Sequence, residues 1–127
     1  MSFEKVAFGF FIILALTLNV AFVLGEIDNP EHHSVWLLFM AIVVNLFATL
    51  LKLGDRSQIG ALLLATALVA DLQLIASASV WTIAVHGVKV GLSTSVIVGV
   101  VSLAVGALVA NVISVTMIVA DTLMLRR

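Results

Sequence analysis

Two polar residues, Asp71 and Gln73, lie at the centre of a long apolar segment that reads LLLATALVADLQLIASASVW over residues 62–81. A carboxylate can bind a proton or a cation, and an amide can coordinate an ion through its oxygen. A charged aspartate at the centre of a membrane helix costs about 2.5 to 3.5 kcal/mol on insertion scales, so it needs a partner, water or a bound cation. The sequence offers no arginine or lysine at this depth. Asp71 is therefore the first candidate functional residue.

Helical geometry separates the two residues. Positions two apart differ by about 200° around a helix, so Asp71 and Gln73 occupy different faces. Gln73 shares its face with Thr66 and Ser77, which forms a hydroxylated stripe suited either to a water-filled path or to close approach of another helix. We expect one face to contact helices of the same subunit and the other a symmetry mate or axis. The predicted ion pathway consists of Asp71, Gln73, Thr66 and Ser77.

Asparagines occupy the other three apolar segments, at Asn19, Asn45 and Asn111. Amides within membrane helices usually form hydrogen bonds between helices, worth about 0.6 kcal/mol on average. We expect these three residues to make intramembrane polar contacts, and one of them could be the partner of Asp71, with a water-filled pathway or a bound cation as the alternatives.

A stripe of small residues follows one face of the last apolar segment, at spacings of three and four. Small residues in this register allow two helix backbones to pack closely. The stripe predicts either packing against the third segment or the seam of a homo-oligomer. Its members are Ser95, Gly99, Ser102, Gly106 and Ala110.

The composition requires a membrane protein. Of the 127 residues, 63% are hydrophobic and 10% charged, which leaves too little polar surface for a soluble domain. We predict an all-α integral membrane protein with one domain, residues 1–127, and four transmembrane helices at about 3–25, 30–53, 56–85 and 92–125. The last two exceed the length that a bilayer requires. An alternative for residues 77–95 is a re-entrant half-helix and loop.

Turn residues mark the predicted helix ends. Asn29 and Pro30 favour a capped start of the second helix, with proline at its first position. Gly54 suits a left-handed cap at the end of that helix. Asp55 and Gln58, three positions apart, predict a capping pair at the start of the third helix.

The basic residues predict an orientation. Lysine and arginine in short loops stay on the cytoplasmic side. The expected topology has five of the six basic residues and both termini in the cytoplasm, and Lys89 outside. The five are Lys5, Lys52, Arg56, Arg126 and Arg127.

The first loop, GEIDNPEHHS at residues 25–34, combines acidic residues with two histidines. Its acids could concentrate cations at an outer entrance, and its histidines could titrate near pH 6.5. Adjacent histidines on a helix do not converge on one ion, so we expect no metal site, and a solvated cap remains the alternative reading. The acidic residues are Glu26, Asp28 and Glu31.

The stretches FGFFIILALTLN, EIDNPEHH and LVADLQLIA resemble an uncharacterised group of small four-helix proteins of the bacterial inner membrane. The resemblance implies the same location and architecture but no assigned activity. In size the chain also resembles the small multidrug exporters and the dimeric fluoride channels. It lacks the exporters' glutamate within the first span, because Glu4 and Glu26 lie at its two ends.

These features predict a homo-oligomeric channel for small monovalent cations, potassium or sodium, because four short spans enclose little volume within one copy. An accessory subunit of a larger transporter or respiratory complex is the alternative. A proton-coupled carrier of a small solute that uses Asp71 is a third. We expect membrane lipid, further copies of the chain and a monovalent cation as partners. Nothing in the sequence indicates an enzyme, a cofactor or nucleic-acid binding.

Overall fold

Four long helices form the described part of the protein. The structure is a computed structural model that describes residues 3–26, 28–87 and 91–125. No strand occurs within these ranges. The helices are α1, Phe3–Val23; α2, Val35–Lys52; α3, Gln58–Thr82; and α4, Thr94–Leu125. A short 3₁₀ turn, Pro30–His32, precedes α2, and a wider π-helical turn, Ile83–Gly87, extends α3.

Each of the four helices is long and apolar enough to cross a membrane. Large apolar side chains cover the outside of the bundle, as shown by Leu72 and Trp36, which are 70% and 75% exposed. Such a surface suits lipid and is unfavourable in water. The chain is therefore a multi-pass membrane protein, and the prediction of four transmembrane helices is confirmed.

The helices form a closed ring in which each packs against its neighbour along the chain and α1 packs against α4. With short connections between consecutive helices, neighbouring helices run antiparallel. We call the end that carries Lys5, Lys52 and Arg56 the basic end, and the opposite end, with residues 24–34, the loop end. Lys89, Arg126 and Arg127, on which the predicted orientation also depends, lie outside the described residues.

The loop before α2 differs from the prediction. Asn29 does act as a cap, because its side chain accepts a hydrogen bond from the backbone N–H of Glu31 at 3.0 Å. It caps only the 3₁₀ turn, since His33 is extended (φ −126°) and α2 begins at Val35. The second helix is therefore five residues shorter at its start than predicted.

The connection between α2 and α3 is tight. Gly54 has φ +88°, the left-handed conformation predicted for it. Ser57 caps α3, because its hydroxyl accepts a hydrogen bond from the N–H of Gly60 at 3.0 Å. The predicted pairing of Asp55 with Gln58 is wrong. Asp55 instead accepts hydrogen bonds from the N–H and the hydroxyl of Ser57, at 2.9 and 2.7 Å.

The re-entrant alternative for residues 77–95 does not match the described part of this segment. Residues 77–87 continue α3 through the π-helical turn, and α4 starts at Thr94. The chain reverses between these points, where Gly91 has φ +75° and donates its N–H to the carbonyl of Ala84. The extra length of α3 and α4 is therefore helical.

Two apolar clusters fill the bundle. Near the loop end the core includes Phe22, Leu38 and Leu74, and near the basic end it includes Phe8 and Ile12. On every helix a buried polar residue lies at or near the boundary between the two clusters. These residues form a polar layer, which consists of Asn19, Asn45, Asp71 and Asn111.

Candidate functional site

Asp71 is buried between α3 and α2, with 6% of its surface exposed. One carboxylate oxygen accepts a hydrogen bond from the side-chain N–H of Asn45 at 2.5 Å. The other lies 2.6 Å from the hydroxyl of Thr49. Asn45 and Thr49 are four residues apart on α2, so both face α3. The carboxyl group is thus held at both oxygens by one face of a neighbouring helix.

The hydroxyl of Thr49 has two oxygens within reach. Besides Asp71, it lies 3.0 Å from the backbone carbonyl of Asn45. A hydroxyl carries one proton. It can donate to the ionised carboxylate, or it can donate to the carbonyl and accept a hydrogen bond from the O–H of a neutral Asp71. The same heavy-atom arrangement therefore accommodates Asp71 with and without a proton.

No positively charged side chain pairs with Asp71 in the described structure. The one ion pair among the described residues joins Lys52 and Asp55, 3.4 Å apart at the basic end. The ammonium of Lys52 also lies 4.5 Å from the centre of the Phe8 ring, where a cation–π contact holds it. Within the described residues the partners of Asp71 are therefore the neutral side chains of Asn45 and Thr49.

Two amides of the polar layer have atoms without hydrogen-bond partners. Asn45 donates to the carbonyl of Ala67 at 3.2 Å as well as to Asp71, but its oxygen is buried and unpaired. Both side-chain atoms of Asn111 are buried and unpaired. Each unpaired buried group costs about 1 to 3 kcal/mol. Such groups are suited to binding a small polar or charged ligand.

Asn45 and Asn111 lie at similar depths. The hydroxyls of Thr66 on α3 and Ser114 on α4 are 2.5 Å apart. Asn111 is about one helical turn from Ser114, towards the loop end. This places Asn111 beside the segment of α3 that Asn45 contacts, residues 67–71. The unpaired amide atoms therefore belong to the same layer as Asp71.

The stripe that contains Gln73 faces α4 of the same chain. Ser77 donates its hydroxyl proton to the carbonyl of Val100 at 2.7 Å, and Thr66 contacts Ser114. Gln73 packs directly against Gly106, where an added Cβ would collide with its amide. In the structure both polar faces of α3 are covered within one chain, whereas the sequence led us to expect one of them at a symmetry axis. Asp71 and the other three predicted pathway residues consequently occupy different interfaces.

Asn19 bridges the backbone of α4. With its amide oriented to satisfy both groups, its nitrogen donates to the carbonyl of Ala104 and its oxygen accepts from the N–H of Leu108, each at 3.0 Å. These contacts hold α1 against α4. Asn19 thus has the geometry of an interhelical contact, while Asn45 also binds the carboxylate.

The small-residue stripe of α4 divides into two halves. Gly106 and Ala110 face the interior, where Gly106 contacts Gln73. Ser95 and Ser102 are exposed, and a Cβ added to Gly99 would meet no atom within 4 Å. The half near the basic end packs within the chain, and the half near the loop end lies on the outside of the bundle.

The acidic side chains of the first loop, Glu26, Asp28 and Glu31, are exposed. Within the described ranges no group of three or more histidine, cysteine, aspartate and glutamate side chains is placed to hold a metal ion. His33 differs from the solvated residue that the sequence suggested, because only 2% of its surface is exposed.

Thr49 was missed by the sequence reasoning. The signal was available, since Thr49 follows Asn45 by four residues and so shares its helix face. A threonine hydroxyl within a membrane helix usually bonds the carbonyl four residues earlier. Because this role satisfies the hydroxyl within its own helix, a contact between Thr49 and Asp71 was not expected. Ser114, the partner of Thr66, was missed for the same reason.

The fold and site define a class: small four-helix membrane bundles with a buried carboxylate in a central polar layer. The chain belongs to DUF6394, a family of unknown function, whose profile matches residues 32–122. This match confirms the resemblance to an uncharacterised group of small four-helix proteins. No curated protein and no solved structure matches the chain.

Proposed function

We propose that the protein binds a monovalent cation at Asp71 and moves it across the membrane. One observation carries this proposal. The buried carboxylate of Asp71 has two hydrogen-bonding partners, and no positively charged side chain among the described residues pairs with it. An ionisable residue at membrane depth typically marks an ion or proton pathway. The bound cation is a proton or an alkali metal ion.

A purely structural role accounts poorly for the carboxylate. The other three helices place asparagine in the polar layer, and an amide holds helices together without the cost of a charge. An asparagine at position 71 could accept a hydrogen bond from Asn45 through its oxygen and donate one to the hydroxyl of Thr49 through its nitrogen. The aspartate adds the capacity to bind and release a positive charge.

The apolar clusters on both sides of the polar layer support a carrier. Phe22, Leu38 and Leu74 lie towards the loop end, and Phe8 and Ile12 towards the basic end. A cation at Asp71 can then leave only when the helices separate on one side. The two proton positions available around Thr49 make a proton the preferred cation of this carrier.

A channel between copies of the chain is the second candidate. Small residues on the outside of α4 would allow a second copy to approach closely, because Ser95 and Ser102 are exposed and Gly99 has open space around it. The channel would conduct potassium or sodium, and the exposed acids of the first loop would attract the ion. In this arrangement the pathway is built from surfaces that one copy leaves open.

The test is ion flux into liposomes that contain the purified protein, under separate proton, sodium and potassium gradients. The native chain is compared with Asp71→Asn and with Asp121→Asn, which makes the same chemical change on α4, away from the polar layer. We expect Asp71→Asn to reduce flux by about tenfold or more, because it removes the charge that binds the cation. Asp121→Asn should retain the native flux.

The gradients distinguish the candidates. Flux of protons alone supports the carrier, and potassium or sodium current that persists without a proton gradient supports the channel. Equal flux in the native chain and Asp71→Asn would refute the role of Asp71. Absence of flux from folded protein would instead favour an accessory subunit, in which the asparagine and hydroxyl contacts only hold helices together.

A further inference from the structure

Two adjacent histidines hold the backbone of one residue in the first loop. The Nδ1 atom of His32 accepts a hydrogen bond from the N–H of Glu26 at 2.8 Å. The Nε2 atom of His33 lies 2.8 Å from the carbonyl oxygen of the same residue. His33 also places its Nδ1 2.6 Å from the carbonyl oxygen of Phe22, in the last turn of α1. Together the two rings fix the point at which α1 ends.

The ring of His33 contacts two hydrogen-bond acceptors. A carbonyl oxygen accepts hydrogen bonds and cannot donate one. A neutral imidazole carries one N–H, so it can satisfy only one of the two carbonyls, whereas an imidazolium satisfies both. Both bonds can therefore form together only when His33 is doubly protonated. Its position at the C-terminal end of α1 favours that positive charge, because the helix dipole is negative there.

The ring of His32 contacts two hydrogen-bond donors. One is the N–H of Glu26, and the other is the side-chain nitrogen of Asn29, 3.2 Å from Nε2. The oxygen of Asn29 is already engaged with the N–H of Glu31, so its nitrogen faces the ring. A neutral imidazole can accept from one of these donors, and an imidazolium can accept from neither. The bond from the N–H of Glu26 can form only when Nδ1 of His32 carries no proton, which a neutral ring allows.

The two rings replace one backbone hydrogen bond, the bond that would join Glu26 to Phe22 if α1 continued. In a continuing α-helix the N–H of Glu26 would bond to the carbonyl of Phe22, four residues earlier. Here His32 takes that N–H and His33 supplies a replacement donor to that carbonyl. Gly25 makes the arrangement possible, because it has φ +98° and a Cβ at this position would overlap the ring of His32.

We propose that His32 and His33 form a pH-dependent clasp on the loop between α1 and α2. The clasp is complete only when His33 carries two protons and His32 carries one. Lowering the pH protonates His32 and breaks its bond to Glu26. Raising the pH removes a proton from His33 and breaks one of its two bonds. The loop is therefore most ordered in an intermediate window, within the range of pH 5 to 8 where histidines ordinarily change charge.

Few other charges act on the two rings. Within the described residues no carboxylate oxygen lies within 4 Å of a nitrogen of either ring, and the side chains of Glu26, Asp28 and Glu31 are exposed. The ionisable residues of α1 and α2 all lie at the basic end: Glu4, Lys5 and Lys52. On α3 the ionisable residue is Asp71, in the middle of the bundle, and on α4 it is Asp121, towards the basic end. His86, exposed after α3, is the remaining titratable group described at the loop end. The backbone contacts thus set the protonation of the clasp.

The first experiment is NMR of the full chain in lipid nanodiscs with ¹⁵N-labelled histidine side chains, from pH 5 to pH 9. The ¹⁵N shifts distinguish imidazolium from each neutral tautomer, and exposed His86 is the internal reference. At the pH where His86 is half protonated, we expect His33 to be an imidazolium and His32 to be neutral. The opposite order, or simultaneous titration of all three rings, would overturn the proposal.

The second experiment measures amide hydrogen exchange at Glu26 relative to Leu24, whose N–H bonds to the carbonyl of Val20 within α1. In the native chain the relative protection of Glu26 should be greatest in the intermediate window and fall about tenfold at either side, as expected for one hydrogen bond. His32→Phe should abolish this maximum, and His86→Gln should retain it. A native profile without a maximum would refute the clasp.

The clasp does not depend on the proposed cation transport. The NMR measurement needs no flux, so it succeeds or fails on the native chain irrespective of Asp71. It also remains decisive if the histidine variants do not fold.

Discussion

The two polar faces of α3 differ in what they bind. On the face towards α2, Asp71 contacts the amide of Asn45 and the hydroxyl of Thr49. On the face towards α4, Ser77 bonds a backbone carbonyl and Thr66 bonds another hydroxyl. The first interface contains an ionisable group, and the second contains only neutral polar groups, among them the buried, unpaired side-chain oxygen of Gln73. One helix therefore carries a candidate cation site on one side and a packing interface on the other.

The comparison shows that polarity alone does not identify a functional face. Both faces lie at membrane depth, and both contain hydroxyl groups. Neutral hydrogen bonds between membrane helices contribute modestly because the separated helices also find partners. A carboxylate that loses its hydrogen-bonding partners finds no comparable partners in lipid. The groups around it therefore determine whether it can remain charged. The following predictions test whether the two faces differ in energy as they do in chemistry.

The largest effect is expected from Thr49→Val, at the interface of α3 with α2. Thr66→Val, at the interface of α3 with α4, is its matched control. Thr49→Val removes a partner of Asp71 and, with Asp71 ionised, should lower the free energy of unfolding by about 1.5 to 3 kcal/mol, the range for a hydrogen bond to a charged group. Thr66→Val should cost about 0.6 kcal/mol, because it removes only neutral contacts. Unfolding in mixed micelles, followed by circular dichroism, measures both values.

The two valine variants are closely matched, since each exchanges a hydroxyl for a methyl group. Equal costs would contradict the distinction between the faces.

An intermediate effect is expected at the glycines of α4. Gly106→Ala places a methyl group against the amide of Gln73, so this side chain must move. We expect a loss of about 1 kcal/mol, at the lower end for overpacking because the amide is the flexible end of its side chain. Gly99→Ala meets no atom within 4 Å and should be neutral or slightly stabilising. The same unfolding assay compares the two variants.

A double variant tests the cause of the Gly106 effect. Gln73→Ala removes the atoms that Gly106→Ala would strike, so the two changes together should cost less than the sum of their separate costs. Additive costs would show that the collision does not determine the packing of α3 against α4.

The smallest effect is expected at Asp55, in the turn that joins α2 to α3. Hydrogen bonds from the side chain and then the backbone N–H of Ser57 lower the pKa of Asp55 below its usual range. Its contribution to stability is therefore present at neutral pH and is lost as the pH falls through the lowered pKa, below about pH 4. Asp55→Asn should reduce the loss of stability between pH 5 and pH 3.

Because the side chain of Asp55 is partly exposed to solvent, the native chain and Asp55→Asn should differ only slightly in the stability that they lose on acidification. The control is Glu4→Gln, an exposed carboxylate at the same end of the bundle. If Asp55→Asn and the native chain lose stability equally on acidification, Ser57 does not hold Asp55 in its charged form.

Much of the architecture could be predicted from residue types. Continuous apolar segments required four membrane helices, and Gly54 fixed a left-handed turn between the second and third. Helix ends were less predictable: Asn29 is a cap, but of a 3₁₀ turn, and Ser57 rather than Asp55 caps α3. Several residues near each end can act as caps, and their local energies differ by little.

The candidate site was only partly predictable. Periodicity separated Asp71 from Gln73, because residues two apart cannot share a helix face. It could not show which helix each face meets, since α2 and α4 both offer small residues and polar groups. The closeness of Thr49 to Asp71 and the burial of His33 depend on how the helices and the first loop pack.

The sequence by itself determined that this protein lies in the membrane and that each span carries a polar residue, because a bilayer restricts both the length and the composition of a helix. The tertiary structure decided that these residues form one layer between two apolar clusters. It also decided that Asp71 contacts α2 and that His33 caps α1. These contacts join residues distant along the chain, so they depend on the arrangement of the helices rather than on local preference.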